Sequence, residues 1–262
     1  AFRCAMPRLG ERLLIKLSRD PSAPDLPGGT DKYTVANALD FHRKTIPEFL
    51  QELVGRTVLD FGCGPGWQAV AMSQAGASRV IGVDIRREWL DHARELARRE
   101  GMADRVVFEM GSTHLRDGTF DVVLSSNSFE HFDDPETILE EMTRLVRPGG
   151  ALWITFAEPW YSPYGSHMSF FTKLPWVNLL FSEETVMRVR SRYRSDGARR
   201  YEEVESGLNR MTLARFERII GRSGLDVELL RFHPTKGLPF VSKVPVVREL
   251  LVSAVSCKLR RR

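Results

Sequence analysis

The order of apolar and polar positions along the chain predicts strands that alternate with helices. Five short apolar runs have the length and the β-branched content of buried strands. These runs are residues 57–59, 80–83, 106–108, 122–124 and 151–156. Strands that alternate with helices require crossover connections, which give a mainly parallel sheet covered on both faces. The predicted fold is therefore doubly wound α/β.

Apolar residues at helical spacing locate the helices between these runs. The predicted helices span residues 45–53, 67–74, 89–100, a segment from Pro135 onward, and 213–223. Asp134 is a favoured N-cap, and Pro135 is a favoured first residue, for the fourth of these helices. Two more strands are predicted after the last helix, at residues 227–232 and 252–258.

Two segments interrupt this pattern and divide the chain. Residues 20–30 consist mostly of turn-forming residues and predict a linker. Residues 157–212, which we call the cap, separate two sheet elements with aromatic clusters and an arginine-rich helix; insertions of this length are usually functional. The predicted organisation is a basic segment and linker at 1–30, a core at 31–156, the cap, and residues 213–262 completing the core.

The composition is that of a globular protein, and the positive charge lies at the two ends. The chain has 262 residues, 42% of them hydrophobic and 27% charged, with a net charge of +4. Residues 1–19 carry five basic side chains and one acidic one, and residues 258–262 carry four basic side chains. The rest holds 29 basic and 33 acidic side chains. The net positive charge therefore comes from the two ends, whereas the body of the protein has more acidic than basic side chains.

The cysteines and the apolar runs exclude several classes of protein. Cys4, Cys63 and Cys257 are odd in number and far apart, which argues against a disulfide framework and against a zinc site. We expect no metal. The apolar runs are too short to cross a bilayer, and no secretory signal is visible. A cytoplasmic location is expected.

A glycine-rich turn after the first strand is the most informative segment. It reads Val-Leu-Asp-Phe-Gly-Cys-Gly-Pro-Gly over residues 58–66, so that a buried strand ends in Asp60 and opens into glycines before a helix. Glycines there permit a tight turn and let a ligand touch the backbone. In such sheets ligands lie at the carboxyl ends of the strands, where Asp60 and Asp84 both fall.

The type of nucleotide follows from the spacing and the charge of this turn. A dinucleotide site requires G-x-G-x-x-G, but Trp67 occupies the position of the third glycine. The Asp60 carboxylate would repel a pyrophosphate and attract a ligand that carries an ammonium group. Asp84, at the end of the second strand, is placed to accept hydrogen bonds from ribose hydroxyls. A cationic adenosine ligand is therefore predicted.

The motifs resemble those of the class I S-adenosylmethionine-dependent methyltransferases, in particular the small-molecule group that includes the ubiquinone-type enzymes. Five motifs occur in the expected order, at residues 58–66, 80–85, 120–123, 129–135 and 145–150. The resemblance covers roughly residues 56–156 together with the closing helix and strands. It implies a Rossmann-like sheet of seven strands with the last strand antiparallel, and S-adenosylmethionine as cofactor.

The resemblance also assigns the cofactor contacts by position. Asp60, with Gly62, Gly64 and Gly66, would shape the pocket for the methionine part of the cofactor. Asp84 would hold the ribose, and Ile85 would pack on the adenine. The family often has an acidic residue after strand three, whereas this chain reads Glu-Met-Gly-Ser-Thr over 109–113. Ser112 or a backbone carbonyl is therefore the expected substitute, and Ser125 is a further candidate contact.

Two histidines are candidate bases for methyl transfer to a hydroxyl. His131 follows the fourth strand beside Glu130, and histidine titrates in the useful range. The alternative is that the Glu-His pair only shapes the pocket. His167, in the cap, is the second candidate, and it could equally be an exposed residue. Tyr161 and Tyr164 are as consistent with packing against a ring as with proton donation.

The basic segments of the sequence are consistent with several kinds of binding partner. Arginines 188, 190, 192 and 194 are expected to spread around one helix, either as a solvated face or facing an anionic acceptor. A basic and apolar helical face in residues 1–17 fits a membrane surface, the protein's own body or a dimer contact. Its members are Met6, Leu9, Leu13 and Leu17 beside Arg8, Arg12 and Lys16. The oligomeric state is open.

The residues at the end of the fourth strand argue against a nucleic-acid substrate. Methyltransferases that act on exocyclic amino groups usually carry an Asn/Asp-Pro-Pro-aromatic motif there, and this chain reads Ser-Ser-Asn-Ser over 125–128. We therefore expect methylation of a hydroxyl on a small metabolite, a sugar or a glycolipid. The alternatives are C- or N-methylation, a non-catalytic binding protein with the same fold, and a dehydrogenase.

Overall fold

The strands form one mixed sheet. The computed structural model describes residues 9–23, 33–235 and 244–262. Within these residues the strands are β1 (Thr57–Phe61), β2 (Arg79–Asp84), β3 (Val106–Met110), β4 (Phe120–Ser126), β5 (Val146–Ala157), β6 (Asp226–Pro234) and β7 (Val252–Arg260). Their order across the sheet is β3-β2-β1-β4-β5-β7-β6. The first five strands are parallel, and β7 is antiparallel to both β5 and β6. The predicted fold, including its antiparallel last strand, is confirmed.

Helices connect these strands and cover the sheet. They are α1 (Leu9–Lys16), α2 (Asp40–Thr45), α3 (Pro47–Leu53), α4 (Trp67–Gln74), α5 (Arg87–Arg99), α6 (Pro135–Leu145), α7 (Val177–Leu180), α8 (Glu183–Arg190), α9 (Leu213–Arg222) and α10 (Pro245–Leu251). Short 3-10 helices occur at Phe129–His131 and Tyr201–Glu203. Asp134 accepts a hydrogen bond from the Thr137 backbone N–H, which confirms the predicted N-cap of α6.

Three local boundaries differ from the sequence prediction. The helix expected over residues 45–53 begins at Pro47, because the residue before a proline, Ile46, avoids the helical conformation and lies at φ −143°. The turn expected at residues 147–150 forms a bulge inside β5, between Val146 opposite Phe120 and Ala151 opposite Val122. Helices α2 and α10 were not predicted, since they span only six and seven residues, which is too short to establish a helical period.

The sheet is buried on both faces because alternate residues of a strand point to opposite sides. Val58 of β1 belongs to a core cluster with residues of α3, α4 and α5. Leu59 belongs to a second cluster with residues of α6 and α9. The strand order reverses direction between β1 and β4, which open a crevice at their carboxyl ends. The glycine-rich turn leaves β1 at this crevice.

A third cluster of buried residues joins the cap to α1. It includes Leu14 of α1 together with Phe171, Val186 and Tyr201 from the cap. The prediction that four arginines lie around one cap helix is wrong. Helix α8 ends at Arg190, and its C-cap is Ser191, so Arg192 and Arg194 follow the helix instead.

Some predictions fall on residues that the structure does not describe. Cys4, Met6 and Arg8, and residues 24–30 of the predicted linker, lie outside the described residues. In the described part of the chain, none of the helices has the length and hydropathy that a membrane span requires. Over the same residues, no group of three or more His, Cys, Asp or Glu side chains is arranged to hold a metal ion.

The basic residues at the carboxyl end are bound to the body of the protein. Arg260 pairs with Glu228 at 2.8 Å, and Arg262 pairs with Asp226 at 2.6 Å. Arg261 donates to the carbonyl oxygen of Val146 at 2.6 Å. This part of the positive charge therefore stabilises the sheet edge rather than forming an unpaired basic patch.

Gly66 sets how closely α4 approaches α5 and β3. It has φ +85°, and a Cβ built on it would lie 2.7 Å from Ala93 Cβ and 2.8 Å from Phe108 Cζ.

Gly101 shares the positive φ, at +67°, but a Cβ there would meet nothing within 4 Å. We expect Gly101→Ala to cost about 1–2 kcal/mol of unfolding free energy from strain. Gly66→Ala should cost about 1–3 kcal/mol more from overpacking. Urea unfolding measures both, and equal costs would contradict the close packing at Gly66.

Candidate active site

The glycines of the turn after β1 have two different surroundings. Gly62, Gly64 and Gly66 all have positive φ, at +79°, +49° and +85°. A Cβ on Gly62 would lie 2.6 Å from Ser128 Oγ, so this glycine lets the turn close against the segment after β4. A Cβ on Gly64 would meet nothing within 4 Å. Gly64 therefore presents its backbone to open space, where a ligand can approach it.

Asp60 carries a buried carboxyl group at the end of β1. Its side chain lies at the end of β1 and is 1% exposed, and among the described residues neither oxygen has a hydrogen-bond partner. Burial, with a smaller effect from Asp84, raises the pKa of Asp60 to about 7. An unpaired buried carboxylate is costly, and a cationic ligand would remove this cost. The group thus fits the ammonium of an amino-acid moiety.

Asp84 is oriented by the turns on either side of it. Oδ2 accepts a hydrogen bond from the Gly64 backbone N–H, and Oδ1 accepts one from the Arg86 backbone N–H, both at 2.9 Å. Each carboxylate oxygen retains a further lone pair for a ligand hydroxyl. The carboxylate is thus held at the edge of the crevice in the position expected for binding ribose.

Two exposed apolar side chains lie beside Asp84. Ile85 is 85% exposed, and Met110 is 47% exposed and lies opposite Asp84 in the β2/β3 register. A flat aromatic ring packed against them would remove both from water. Met110 was missed by sequence reasoning, although its position at the carboxyl end of β3 is visible in the sequence.

The two serines proposed as cofactor contacts lie in different environments. The Ser112 hydroxyl is buried and donates to Glu141 Oε1 at 2.7 Å. Ser125 lies on β4 with its side chain fully buried, and within the described residues its hydroxyl has no partner. Neither arrangement tests a contact with adenine, so both roles stay predictions.

Cap residues hold His131 in place from the opposite side. The ring Nδ1 of His131 donates to the Gly207 carbonyl oxygen at 2.7 Å, which leaves the Nε2 lone pair available. The Asn209 side chain donates to the carbonyl oxygens of Phe129 and Phe132, at 2.9 and 2.8 Å. The 3-10 helix that carries His131 is therefore clamped at both ends. Burial lowers the pKa of His131, so its ring is neutral near pH 7.

The structure brings the second candidate, His167, against the first. The two histidine rings meet edge to face with centroids 5.2 Å apart. His167 has φ +55°, an uncommon conformation for a residue with a side chain, and its Nε2 lies 4.0 Å from Glu158 Oε2. Burial, and to a smaller extent His131, lowers the pKa of His167.

Two glutamates complete this cluster. Sequence reasoning considered Glu130 only as part of a Glu-His pair that shapes the pocket, and it assigned no role to Glu158. Glu130 is 4% exposed, and its Oε2 has no partner in the part of the chain that the structure describes. Burial raises the pKa of Glu130 to about 8, from an ordinary 4.5. Burial, and then Glu130, raises the pKa of Glu158 to about 7. Glu158 also has positive φ, at +56°. It directly follows β5, and this position at the carboxyl end of a strand was the sequence signal from which a functional role could have been inferred.

Two cavities adjoin the histidines. The larger, of about 150 Å³, is lined by four apolar residues of the cap and by polar and charged side chains, which are His131, His167, Arg190, Glu205 and Ser206. Cavities of this volume admit a ring-sized group. The smaller, of about 10 Å³, lies among Glu130, Glu158, His167 and Arg210 and is roughly the size of one water molecule. Tyr161 and Tyr164 line neither cavity.

Three arginines of the cap are paired with carboxylates. Arg190 makes two hydrogen bonds of 2.6 Å to Asp196. Arg188 pairs with Glu184, four residues earlier on α8, at 2.6 Å. Arg210 contacts both Glu183 and Glu202. The arginine beside the larger cavity therefore brings its own counter-ion, which weakens the hypothesis of an anionic acceptor.

Comparison with known proteins identifies relatives of the core and of most of the chain. A family model described as "Methyltransferase domain" matches residues 59–154. An uncharacterised methyltransferase of Mycobacteroides abscessus is 33% identical over 216 residues, which are 80% of this chain and 78% of that protein. Methyltransferase GfsG of Streptomyces halstedii is 34% identical over 138 residues, and a ubiquinone biosynthesis O-methyltransferase of Pectobacterium carotovorum is 36% identical over 112. These matches cover 52% and 42% of this chain, and they span about half of each relative, 47% and 46%.

Solved structures share the fold at low sequence identity. An S-adenosylmethionine-dependent methyltransferase from Mesorhizobium loti superposes with a TM-score of 0.58 at 18% identity, covering 87% of this chain and all of that one. A geranyl diphosphate C-methyltransferase from Streptomyces coelicolor gives 0.55 at 16% identity, covering 89% and 85%. The [4+2]-cyclase SpnF gives 0.56 at 17% identity, covering 95% and 92%. Similarity at this level describes the fold and not the reaction.

The buried glutamates predict how stability depends on pH. Because the folded state holds the Glu130 proton more tightly than the unfolded chain does, raising the pH from 5 to 9 lowers the unfolding free energy. The loss is about 1.4 kcal/mol for each unit of pKa difference. In Glu130→Gln the decline with pH should be smaller. Urea unfolding of the unliganded protein at several pH values measures the slope, with exposed Glu140→Gln as control. A slope equal to that of the wild type in Glu130→Gln would contradict the prediction.

Proposed function

Because the chain belongs to the class I S-adenosylmethionine-dependent methyltransferases, we propose that it methylates a hydroxyl group of a small metabolite, a sugar or a glycolipid. The observation that carries the proposal is the geometry of His131. Its ring is fixed through Nδ1 and lines a cavity of ring size. Burial also lowers the pKa of His131, which favours the neutral ring. This arrangement is suited to accepting a proton from a hydroxyl group.

The residues after β1 and β2 fit the cofactor. When bound, S-adenosylmethionine supplies a methyl group already activated by the sulfonium. Asp60 would face its cationic methionine part, and the open side of Gly64 would let the backbone approach it. Asp84 would accept hydrogen bonds from the ribose, and Ile85 would cover the adenine. These contacts explain why a buried carboxylate is tolerated at the end of β1.

Because the cofactor supplies an activated methyl group, the protein has two contributions to make to catalysis. It positions the two reactants, and it supplies a base. Holding the reactants in line can supply roughly 7–11 kcal/mol of the barrier. His131 Nε2 would take the hydroxyl proton as the new O–C bond forms, while the Gly207 carbonyl keeps the ring in the required tautomer. His167 is the second candidate for this step, since it lines the same cavity beside Glu158.

The cavity wall favours a neutral acceptor. Met168, Phe170 and Leu208 contribute apolar surface. The two charged side chains of the wall have counter-ions, since Arg190 pairs with Asp196 and Glu205 pairs with Arg86. A hydroxyl on a ring or on a lipid headgroup fits such a wall better than a phosphate does. The O-methyltransferase name of the Pectobacterium relative is consistent with this acceptor class. C-methylation and N-methylation are the alternatives, and the C-methyltransferase among the structural neighbours represents the first.

Replacement of His131 tests the proposed base. We expect His131→Ala to lower the rate by about 10²–10⁴-fold while S-adenosylmethionine binding stays unchanged. The rate of the wild type should fall on acidification, as the proton on His131 blocks the base. The assay follows transfer of labelled methyl from S-adenosylmethionine into a metabolite and lipid extract.

His114→Ala, in which the replaced side chain is half exposed, is the matched control and should retain full activity. Unchanged turnover in His131→Ala would contradict base-assisted O-methylation and favour an acceptor that loses no proton to His131. If His167→Ala alone shows the loss, the base is His167 instead.

A further inference from the structure

Helix α1 presents apolar side chains to solvent while its other face is anchored in the protein. Leu9 is 86% exposed, and Leu13 and Leu17 are about half exposed. These leucines are four residues apart, so they form a stripe along the helix and its last turn. Such a stripe normally faces a core, and here the described part of the chain leaves it open.

The anchoring contacts exclude the explanation that α1 is simply detached. Leu14 is fully buried in the cluster shared with the cap. A Cβ on Gly10 would lie 3.7 Å from the Phe181 ring, so the two elements are closely packed. The carbonyl oxygen of Leu17 accepts a hydrogen bond from the Thr172 hydroxyl at 3.1 Å. The orientation of the leucine stripe toward solvent is therefore set by the fold.

Two basic side chains flank the stripe on its solvent side. Arg12 and Lys16 are exposed, four residues apart, and lie next to Leu9 and Leu13 around the helix. Within the described residues, no carboxylate pairs with either of them. The acidic residue of the helix, Glu11, lies on a different side of it.

A neighbouring element extends the apolar surface. Leu179 and Leu180 of α7 are 45% and 61% exposed. Phe181 follows them directly and is the residue that packs beside Gly10 of α1. Exposed leucines therefore occur on two adjacent elements, a concentration of apolar side chains that an isolated soluble surface rarely shows.

We propose that this surface, formed by Leu9, Leu13, Arg12 and Lys16 of α1 with Leu180 of α7, docks on an anionic lipid bilayer. Leucines beside unpaired cations are the arrangement that places a helix in the boundary between headgroups and acyl chains. A second copy of the chain fits less well. A two-fold contact through this face would bring the same cations of both copies together.

The position of α1 relates docking to the candidate acceptor cavity. Arg19, just after α1, donates through Nε to the carbonyl oxygen of Phe170 at 2.8 Å, and Phe170 lines the larger cavity. A bilayer in contact with α1 would thus lie close to the segment that forms the cavity wall. This consequence rests on the proposed function, whereas the docking itself does not.

Vesicle sedimentation of the full chain tests the proposal. The wild type should bind phosphatidylcholine vesicles that contain phosphatidylglycerol at least tenfold more tightly than vesicles of phosphatidylcholine alone. Leu9→Ser/Leu13→Ser and Arg12→Gln/Lys16→Gln should each weaken binding to the anionic vesicles at least tenfold. Val227→Ser, at an exposed apolar position on β6, should bind as the wild type does.

S-adenosylmethionine titration and circular dichroism of each variant establish that it is folded. Absence of binding to anionic vesicles, or equal binding by the leucine double variant, would overturn the proposal. A wild-type dimer in analytical ultracentrifugation that Leu9→Ser/Leu13→Ser abolishes would assign the surface to a second copy and overturn it as well. None of these outcomes depends on whether His131 acts as a base.

Discussion

The carboxyl group of Asp60, buried at the end of β1 with no hydrogen-bond partner among the described residues, is the constraint on which the site depends. Isolated charge in a protein interior is unfavourable, and the shift of its pKa to about 7 expresses that cost. The cost arises because β1 lies between β2 and β4 and Asp60 is buried there, whereas the turn that follows leaves one side of Gly64 open. A cation that reaches this carboxylate would stabilise it.

The position of His131, the candidate base, depends on contacts with the cap. Gly207 and Asn209 hold the short helix that carries His131, so the base candidate is positioned by residues some 75–80 positions later in the chain. Glu158, His167 and Arg210 all have positive φ and line one small cavity. Such conformations are costly for residues with side chains, and they persist where the surroundings impose them, often at functional sites. Core and cap are therefore coupled at the histidines.

The sequence was sufficient for the parts of the structure that local patterns determine. The strand runs, the glycine turn and the Asp134 cap are short-range features, and they predicted the sheet and the position of Asp60 and Asp84. The cluster of Glu130, Glu158 and His167 could not be derived, because it forms only when turns in the cap bring distant residues together. The pairing of the carboxyl-terminal arginines was likewise invisible, since Arg260 and Arg262 lie 32 and 36 residues after their carboxylate partners. Helix α1 was seen as amphipathic, but which face is buried depends on packing against the cap.

Calorimetric titration of S-adenosylmethionine at pH 6, in buffers with different ionisation enthalpies, tests the role of Asp60 most directly. At that pH most Asp60 side chains are protonated in the free protein, and a bound ammonium would force them to ionise. The account predicts release of nearly one proton per cofactor bound by the wild type. Asp60→Asn should release none from this position and should bind more weakly. A binding enthalpy that does not depend on the buffer, or equal proton release by wild type and Asp60→Asn, would contradict it.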